Sequence, residues 1–337
     1  MSDLRYKGRK SFSRGLSKGA ISICMIVLFA CGGGDGKTPN GRISLRFKAV
    51  DGSSEIGCDS TVKGLGIGGQ YSMGMSDLRF YVSNISLYDA QGEKIAAEMA
   101  ASEFQYKDDS GDVALVDLTS NVSGSCTNTA IAFAEGTQRV NNEVILLSDR
   151  SDIASVSFDV GVPQPLMKRV VRDFSIEGAP SPLGEMYWSW ASGYRHFVLN
   201  FSVKSRQDES GEGYLHLGSR DCGGDGAVAL TDREQCGFVN TPSVRLEGFD
   251  PTNNVITVDI RKALQNVEFQ AHSHGDKSSV SNKHSDGNSG KSAPPGVVCH
   301  SGPIGNQPDC GPIFANFGLD PASGDSSSSA NQVFSFK

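Results

Sequence analysis

The chain has 337 residues, of which 38% are hydrophobic, and carries 31 Lys and Arg against 38 Asp and Glu. Six of these cations and one of these anions fall in residues 1–30, which leaves 25 against 37 and a net charge of −12 for the remainder. An acidic chain without a basic stripe lacks the clustered cations that bind phosphate, which excludes nucleic acid as a partner. The length suits one large domain or two small ones.

Residues 1–30 have the pattern of a bacterial export signal. Cations come first, and residues 21–30 form an apolar run that is too short to span a bilayer. Residues 28–32 have the form of a lipobox, which predicts cleavage before Cys31 and a lipid on its sulfur. Glycines then predict a flexible lipidated tether over residues 31–41, and a glycine after Cys31 favours the outer membrane, facing the periplasm. A plain secretory signal with an incidental cysteine is the alternative.

From residue 42 onward the chain has the pattern of many short strands. Ile43, Leu45 and Phe47 alternate with polar neighbours, as in a half-buried strand. Similar segments, separated by Gly, Ser and Asn turns, occupy residues 77–88, 113–118, 143–147, 153–162, 186–190, 196–204, 212–219, 243–250 and 254–260. The series predicts an all-β fold, an antiparallel β-sandwich with long disulfide-stapled loops.

Other segments interrupt or end this series. Residues 164–185, with three prolines, are predicted to be irregular, and Arg261–Phe269 is the one helix that we predict. Residues 271–295 are rich in Ser and Gly and are predicted to be a low-complexity loop within a single domain over residues 42–325. Residues 326–337 are predicted to be a flexible tail.

The cysteines beyond Cys31 predict disulfides, because their number is even and the chain carries an export signal. Several pairings are open, and proximity in the sequence favours Cys222–Cys236 and Cys299–Cys310, which leaves Cys58–Cys126. No Cys-x-x-Cys is present, so the signatures of zinc fingers, thioredoxins and covalently bound c-haem are missing.

No enzyme motif is found along the chain. The Gly-x-Ser-x-Gly elbow, the His-Glu-x-x-His zinc motif and the EF-hand loop are absent from the sequence. Gly290-Lys291-Ser292 resembles the end of a phosphate-binding loop, but Ser285 stands where that loop needs a glycine. We therefore expect that the protein is not an enzyme.

One stretch combines the residue types that metal or redox chemistry uses. Met186, Trp188 and Trp190 fall on one face of a predicted strand, and these are the only two tryptophans of the chain. His216 follows on another predicted strand. Such a cluster is either an aromatic core with a hydrogen-bonded histidine or a site for a soft metal or redox reaction.

The remaining histidines are weaker candidates. His272 and His274 form a His-x-His pair that could capture copper or zinc weakly, although a solvated loop is the interpretation that we favour. His284 and His300 lie in or beside the same C-terminal loop region.

The order of short motifs along the chain resembles the MbnP-like proteins, also called the metallo-mystery-pair four-Cys group. Each motif is weak alone, and it is their common order and spacing, across nearly all of the chain beyond the signal, that carries the resemblance. The matching pieces are Cys58, Asp77-Leu78-Arg79-Phe80-Tyr81-Val82, Val113-Ala114-Leu115-Val116-Asp117, Cys126, Gly161-Val162-Pro163, Met186 with Trp188-Ser189-Trp190 and Gly193-Tyr194, His216-Leu217-Gly218-Ser219, Cys222, Cys236, Gly248-Phe249-Asp250, and Cys299 with Cys310.

This resemblance implies an exported copper-binding β-sandwich and a partner, a dihaem cytochrome of the MbnH/MauG type. In that family the partner oxidises a tryptophan to kynurenine, which then helps to bind the metal. The residues carried over are Trp188, Trp190 and His216, with the modified tryptophan left open. The family often has an Asn-His pair after Gly-Val-Pro, where this chain has Gln164-Pro165, so one potential ligand is missing. A structural or adhesive β-sandwich lipoprotein without metal is the alternative.

Overall fold

The computed structural model describes the chain from residue 41 onward in seven stretches, which belong to one compact unit. The described residues are 41–58, 60–119, 140–174, 178–189, 193–223, 235–269 and 294–337. The predicted export signal lies outside them, as do Cys31, Cys126, Trp190, His272, His274 and His284.

Strands account for most of the regular structure. In chain order they are β1 (Gly41–Asp51), β2 (Ser54–Glu55), β3 (Thr61–Leu65), β4 (Tyr71–Tyr88), β5 (Lys94–Ile95), β6 (Glu98–Met99), β7 (Gln105–Asp108), β8 (Gly111–Asp117), β9 (Glu143–Ser148), β10 (Ser155–Val160), β11 (Tyr187–Ser189), β12 (Gly193–Ser205), β13 (Ser210–Gly218), β14 (Ser243–Glu247), β15 (Ile256–Asp259), β16 (Val297–Cys299) and β17 (Phe334–Phe336). The helices are α1 (Gln164–Asp173), α2 (Ile260–Ala263), α3 (Cys310–Asn316) and a 3-10 helix (Ser328–Ala330).

The strands form two sheets. The smaller sheet has the order β17-β15-β1-β9-β6, with β2 beside β1. The larger sheet has the order β14-β10-β4-β12-β13-β16; β3, β5 and β8 also pair with β4, β7 with β8, and β11 with β12. Most pairs are antiparallel, but β1 with β15 and β13 with β16 are parallel.

The main core lies between the two sheets. Ile43, Leu45 and Phe47 of β1 are buried, as their period-two spacing predicts. The rings of Phe47 and Phe80, one from each sheet, meet edge-on with centroids 5.6 Å apart. Buried residues of both sheets form a single apolar cluster, so the predicted all-β sandwich is confirmed.

Helix α1 covers the other face of the larger sheet and is a correction to the irregular segment predicted over residues 164–185. Prolines near the start obscured it in the sequence, although proline is tolerated in the first helical turn because the N–H there has no helical partner. Leu166, Met167 and Val170 lie on one side of the helix and are buried against the sheet.

The predicted helix over Arg261–Phe269 is also shorter than expected. Only Ile260–Ala263 is helical, and the backbone of Asn266 and of Phe269 has φ of 62° at each residue. These left-handed conformations are incompatible with a continuing helix. None of the described helices combines the length and apolar character that a bilayer span requires.

The C-terminal segment that was predicted to be a flexible tail forms part of the smaller sheet. Phe334–Phe336 pairs with β15, and Phe334 is buried against the rings of Phe80 and Phe158. The serines that dominate residues 326–330 hid this apolar strand in the sequence.

The two disulfides favoured by sequence proximity are present. Cys222 bonds Cys236, and Cys299 bonds Cys310. Cys58 is also disulfide-bonded, and its expected partner Cys126 lies outside the described residues. The disulfide-stapled loops of the prediction are therefore confirmed for these two pairs.

Candidate metal centre

A buried polar row crosses the face of the larger sheet that lies away from the main core. Strand register places Arg79 of β4 opposite Val198 of β12, and Val198 opposite His216 of β13. Asp77 is likewise opposite Asn200. Directly paired residues point to the same side of a sheet, so these polar side chains share one surface.

His216 meets a second histidine, His300, at one end of this row. The two Nδ1 atoms are 2.9 Å apart and the ring centroids 4.7 Å apart. The contact follows from the parallel pairing of β13 with β16, in which Leu215 lies opposite Cys299. The residue after each of these is a histidine.

Hydrogen bonds hold the backbone at both histidines. Ser301 donates its hydroxyl to the carbonyl of His216, with 3.0 Å between the oxygens, and accepts from the amide of Gly218 at 2.8 Å. Gln307 accepts from the amide of His300 at 2.7 Å. The Cys299–Cys310 disulfide closes the loop that carries His300, Ser301 and Gln307, so the position of His300 is constrained by a covalent bond.

Trp188 packs against both histidines. Its ring centroid is 6.2 Å from that of His216 and 5.9 Å from that of His300. Strand β11 is short and its pairing with β12 at Tyr187 and Tyr194 directs Trp188 to this spot. The tryptophan is half-buried.

The environment keeps the imidazole of His216 neutral. Burial, first, and then the nearby His300, Arg195 and Arg79 hold its pKa well below the ordinary histidine value. Only 7% of the residue is exposed. A neutral imidazole is the form that binds a metal, so the site needs no proton to be removed from His216.

The pair of Nδ1 atoms fits one metal ion. With metal–nitrogen bonds of ~2.0 Å, two nitrogens 2.9 Å apart subtend roughly a right angle at the metal. Imidazole is a good copper ligand, so His216 and His300 would hold such an ion through their Nδ1 atoms. Among the residues that the structure describes, no group of three or more His, Cys, Asp or Glu is placed to bind a metal. The described residues therefore supply two ligands of these four types and not a third.

Tyr214 lines the same site without offering a phenolate. Its ring centroid is 6.1 Å from that of His216 and 6.0 Å from that of His300. The hydroxyl donates to the carboxylate of Glu212. Burial and that carboxylate raise the pKa of Tyr214 to about 12, so the hydroxyl keeps its proton at neutral pH.

The structure thus joins two of the residues that the sequence singled out and adds one that it did not. Trp188 and His216 lie together, whereas Trp190 lies outside the described residues. From the sequence, His300 is placed only in or beside the C-terminal loop region. The available signal was its position directly after Cys299, since a cysteine in a short disulfide loop holds its neighbour in place.

His196, by contrast, is a structural residue. It is fully buried, and its Nδ1 accepts from the amide of Val162 at 3.3 Å while Nε2 donates to the carbonyl of Val239 at 3.1 Å. Burial lowers its pKa to about 4. Gly161 has φ of 153°, and a Cβ there would lie 2.9 Å from the imidazole. The Gly-Val-Pro motif therefore packs on His196.

Comparisons with known proteins point to one family. A family model called MbnP matches residues 40–282. The solved structure of MbnP from Methylosinus trichosporium is similar, with a TM-score of 0.60 and 21% sequence identity over 88% of this chain and 98% of that chain. At this identity the structural similarity concerns the fold. No curated protein matches the chain. The family match includes Trp188 and His216 and ends before His300.

Proposed function

Since this chain belongs to the MbnP family, we propose that it is an exported copper-binding protein rather than an enzyme. The metal lies between His216 and His300, beside Trp188. The single observation that supports this most is the 2.9 Å approach of two Nδ1 atoms. Two neutral imidazoles share one hydrogen bond there, for which one Nδ1 carries the proton. An ion would be held by both Nδ1 atoms once that imidazole carries its proton on Nε2 instead.

Trp188 is the tryptophan that we propose to be converted to kynurenine. It is the described tryptophan that touches both candidate ligands. In this reaction the indole C2–C3 bond breaks, both carbons gain oxygen at the expense of dioxygen or peroxide, and C2 leaves as formate after hydrolysis. The product carries an aniline nitrogen and a ketone, which would add to the two imidazoles the kind of donor that the described residues lack.

The oxidant in this proposal is a dihaem cytochrome of the MbnH/MauG type, acting on the folded protein. Half-burial of Trp188 and of His300 supports access from outside. A tryptophan deep in the main core would be shielded from an external haem. The protein is thus the substrate of its partner.

The location that we propose is the periplasmic side of the outer membrane, with a lipid on Cys31. The lipobox at residues 28–32 and the glycine tether after it support this assignment. Two disulfides in the described residues suit the same oxidising compartment.

Copper titration tests the metal site directly. We expect one equivalent to bind, and His300→Ala and His216→Ala each to weaken binding by about a hundredfold or more, because each removes one strong ligand. A His272→Ala/His274→Ala double variant is the control and should bind as the wild type does. If the double variant alone loses copper, the loop and not the His216–His300 pair is the site. If the wild type binds none, a structural or adhesive role becomes the better proposal.

Mass spectrometry of protein co-expressed with its partner tests the modification. The peptide that contains Trp188 should gain about four daltons, the difference between tryptophan and kynurenine. Tandem fragmentation separates Trp188 from Trp190. A Trp188 that stays unmodified in the presence of an active partner would exclude it as the modified residue.

A further inference from the structure

A chain of polar side chains leads away from His216 into the sheet and has no part in the proposed ligand set. Asp77 and Arg79 form a bidentate ion pair, with Nε and Nη2 of Arg79 2.8 and 2.7 Å from the two carboxylate oxygens. Both residues are almost fully buried. The ion pair belongs to the Asp77–Val82 motif that the sequence singled out, and buried ion pairs are costly unless the geometry is well satisfied.

Asn200 lies between this ion pair and the histidine. Its Nδ2 is 3.5 Å from Oδ2 of Asp77, and its Oδ1 is 2.7 Å from Nε2 of His216. Only 2% of the residue is exposed. Thr119 donates to the other carboxylate oxygen of Asp77 at 3.3 Å. Each polar atom of the Asn200 side chain is therefore committed to one neighbour.

The direction of these hydrogen bonds follows from the charges. A carboxylate in an ion pair only accepts, so the amide group of Asn200 must turn its NH₂ toward Asp77. Its carbonyl oxygen then faces His216 and can only accept. Nε2 of His216 must therefore carry the proton, and in a neutral imidazole that leaves a lone pair on Nδ1.

We propose that Asn200, oriented by the Asp77–Arg79 pair, is a positioning residue that fixes His216 as the Nε2–H tautomer and directs its Nδ1 lone pair to the metal. In the metal-free protein the same lone pair accepts a hydrogen bond from the Nδ1–H of His300, with 2.9 Å between the two nitrogens. The part that concerns metal rests on the proposed function, whereas the tautomer follows from hydrogen bonds alone. Outer partners of this kind tune a metal site by ordering its ligands.

Long-range ¹H–¹⁵N NMR of the metal-free wild type tests the tautomer without any substitution. The His216 signals, assigned by comparison with His216→Gln, should show protonated Nε2 and an unprotonated Nδ1 at neutral pH. An Nδ1–H tautomer, or an equal mixture of the two, would overturn the proposal whether or not copper binds.

Two variants of nearly equal size then test the function of the acceptor. Asn200→Asp keeps an oxygen that faces His216 in either protonation state, whereas Asn200→Leu removes it. We expect Asn200→Leu to weaken copper binding by about 10- to 100-fold and to shift His216 toward a tautomer mixture. Asn200→Asp should stay within about threefold of the wild type and keep the Nε2–H signal.

Asn316→Leu is a matched control, because Asn316 is also buried and donates to the carbonyls of Ala263 and Gln265 rather than to the site. It should destabilise the fold and leave the copper affinity of the folded protein unchanged. Equal losses of affinity in Asn200→Asp and Asn200→Leu, or no loss in either, would overturn the positioning role. A wild type that binds no copper but shows the Nε2–H tautomer contradicts the proposed function and leaves the tautomer assignment supported.

Discussion

His196 and the His216–His300 pair lie on neighbouring parts of the same sheet and use their nitrogens in opposite ways. Both nitrogens of His196 are bonded to backbone groups, at Val162 and Val239. Each histidine of the pair turns an Nδ1 toward the other. Burial alone therefore does not distinguish a structural histidine from a candidate ligand. The distinguishing feature is the kind of partner, because backbone groups hold both nitrogens of His196, whereas Nδ1 of His216 faces the side chain of another histidine.

This difference also explains why the two sites should respond differently to change. Removing His196 leaves the buried amide of Val162 and the half-buried carbonyl of Val239 without their partner, which is costly because a buried polar group needs a hydrogen bond. Removing the His300 side chain leaves a small half-buried space and does not affect the backbone hydrogen bonds between β13 and β16. The stability of the fold should depend on the first site, and the affinity for a ligand on the second.

The largest effect that we expect on stability is that of His196→Ala. It should lower the free energy of unfolding by about 3 kcal/mol or more, through a cavity and two unpaired backbone groups. His300→Ala should cost no more than about 1 kcal/mol, since His300 is half-buried. Urea denaturation of the metal-free proteins measures both. Equal losses of unfolding free energy in the two variants would contradict the view that the stability of the fold depends on His196 and not on His300.

The acid dependence of stability should show the same contrast. The pKa of His196 in the fold, about 4, lies below the ordinary value of 6.5, because burial disfavours the charged ring. Its contribution to the free energy of unfolding is therefore fully present above pH 6.5 and is lost as the pH falls toward 4. The loss amounts to about 3 kcal/mol from this residue. Asp117 acts in the opposite direction, because burial raises its pKa to about 6 and its protonated form is favoured in the fold.

A His196→Asn variant isolates the histidine from these other groups. The asparagine oxygen falls near the position of Nδ1, where it can accept from the amide of Val162, and asparagine does not titrate in this range. Between pH 7 and pH 4 the wild type should therefore lose about 3 kcal/mol more unfolding free energy than the variant does. Parallel pH profiles of the two proteins would show that His196 is not the titrating group.

A smaller effect than that of His196 concerns Ser301, whose hydrogen bonds connect the His300 loop to the strand of His216. Ser301→Ala removes its hydrogen bonds to the carbonyl of His216 and the amide of Gly218. We expect a loss of about 1–2 kcal/mol in unfolding free energy and a several-fold weaker copper affinity, since His300 becomes less well ordered. Thermal melting and copper competition measure the two. An unchanged affinity would mean that the Cys299–Cys310 disulfide alone positions His300.

Much of the fold was predictable because the patterns that specify it lie within short segments of the sequence. The alternation at Ile43, Leu45 and Phe47 marks a strand wherever it occurs, and short cysteine spacings favour local disulfides. Helix α1 was not predicted because proline breaks a helix at most positions, although it is tolerated in the first turn, where it lies here. Strand β17 was not predicted because it is short and follows a run of serines. Its extended conformation depends on pairing with β15, which the local sequence does not show.

The sequence by itself determined the strand-rich class, the two local disulfides and the family. It also singled out Trp188 and His216 as candidate site residues. All of these depend on local period, local spacing or motif order. Only the tertiary structure decided that His300 lies against His216 and that both nitrogens of His196 are bonded to the backbone. The two histidines of the pair are 84 residues apart, and parallel strand pairing, which brings them together, leaves no trace in the spacing of residues along the chain.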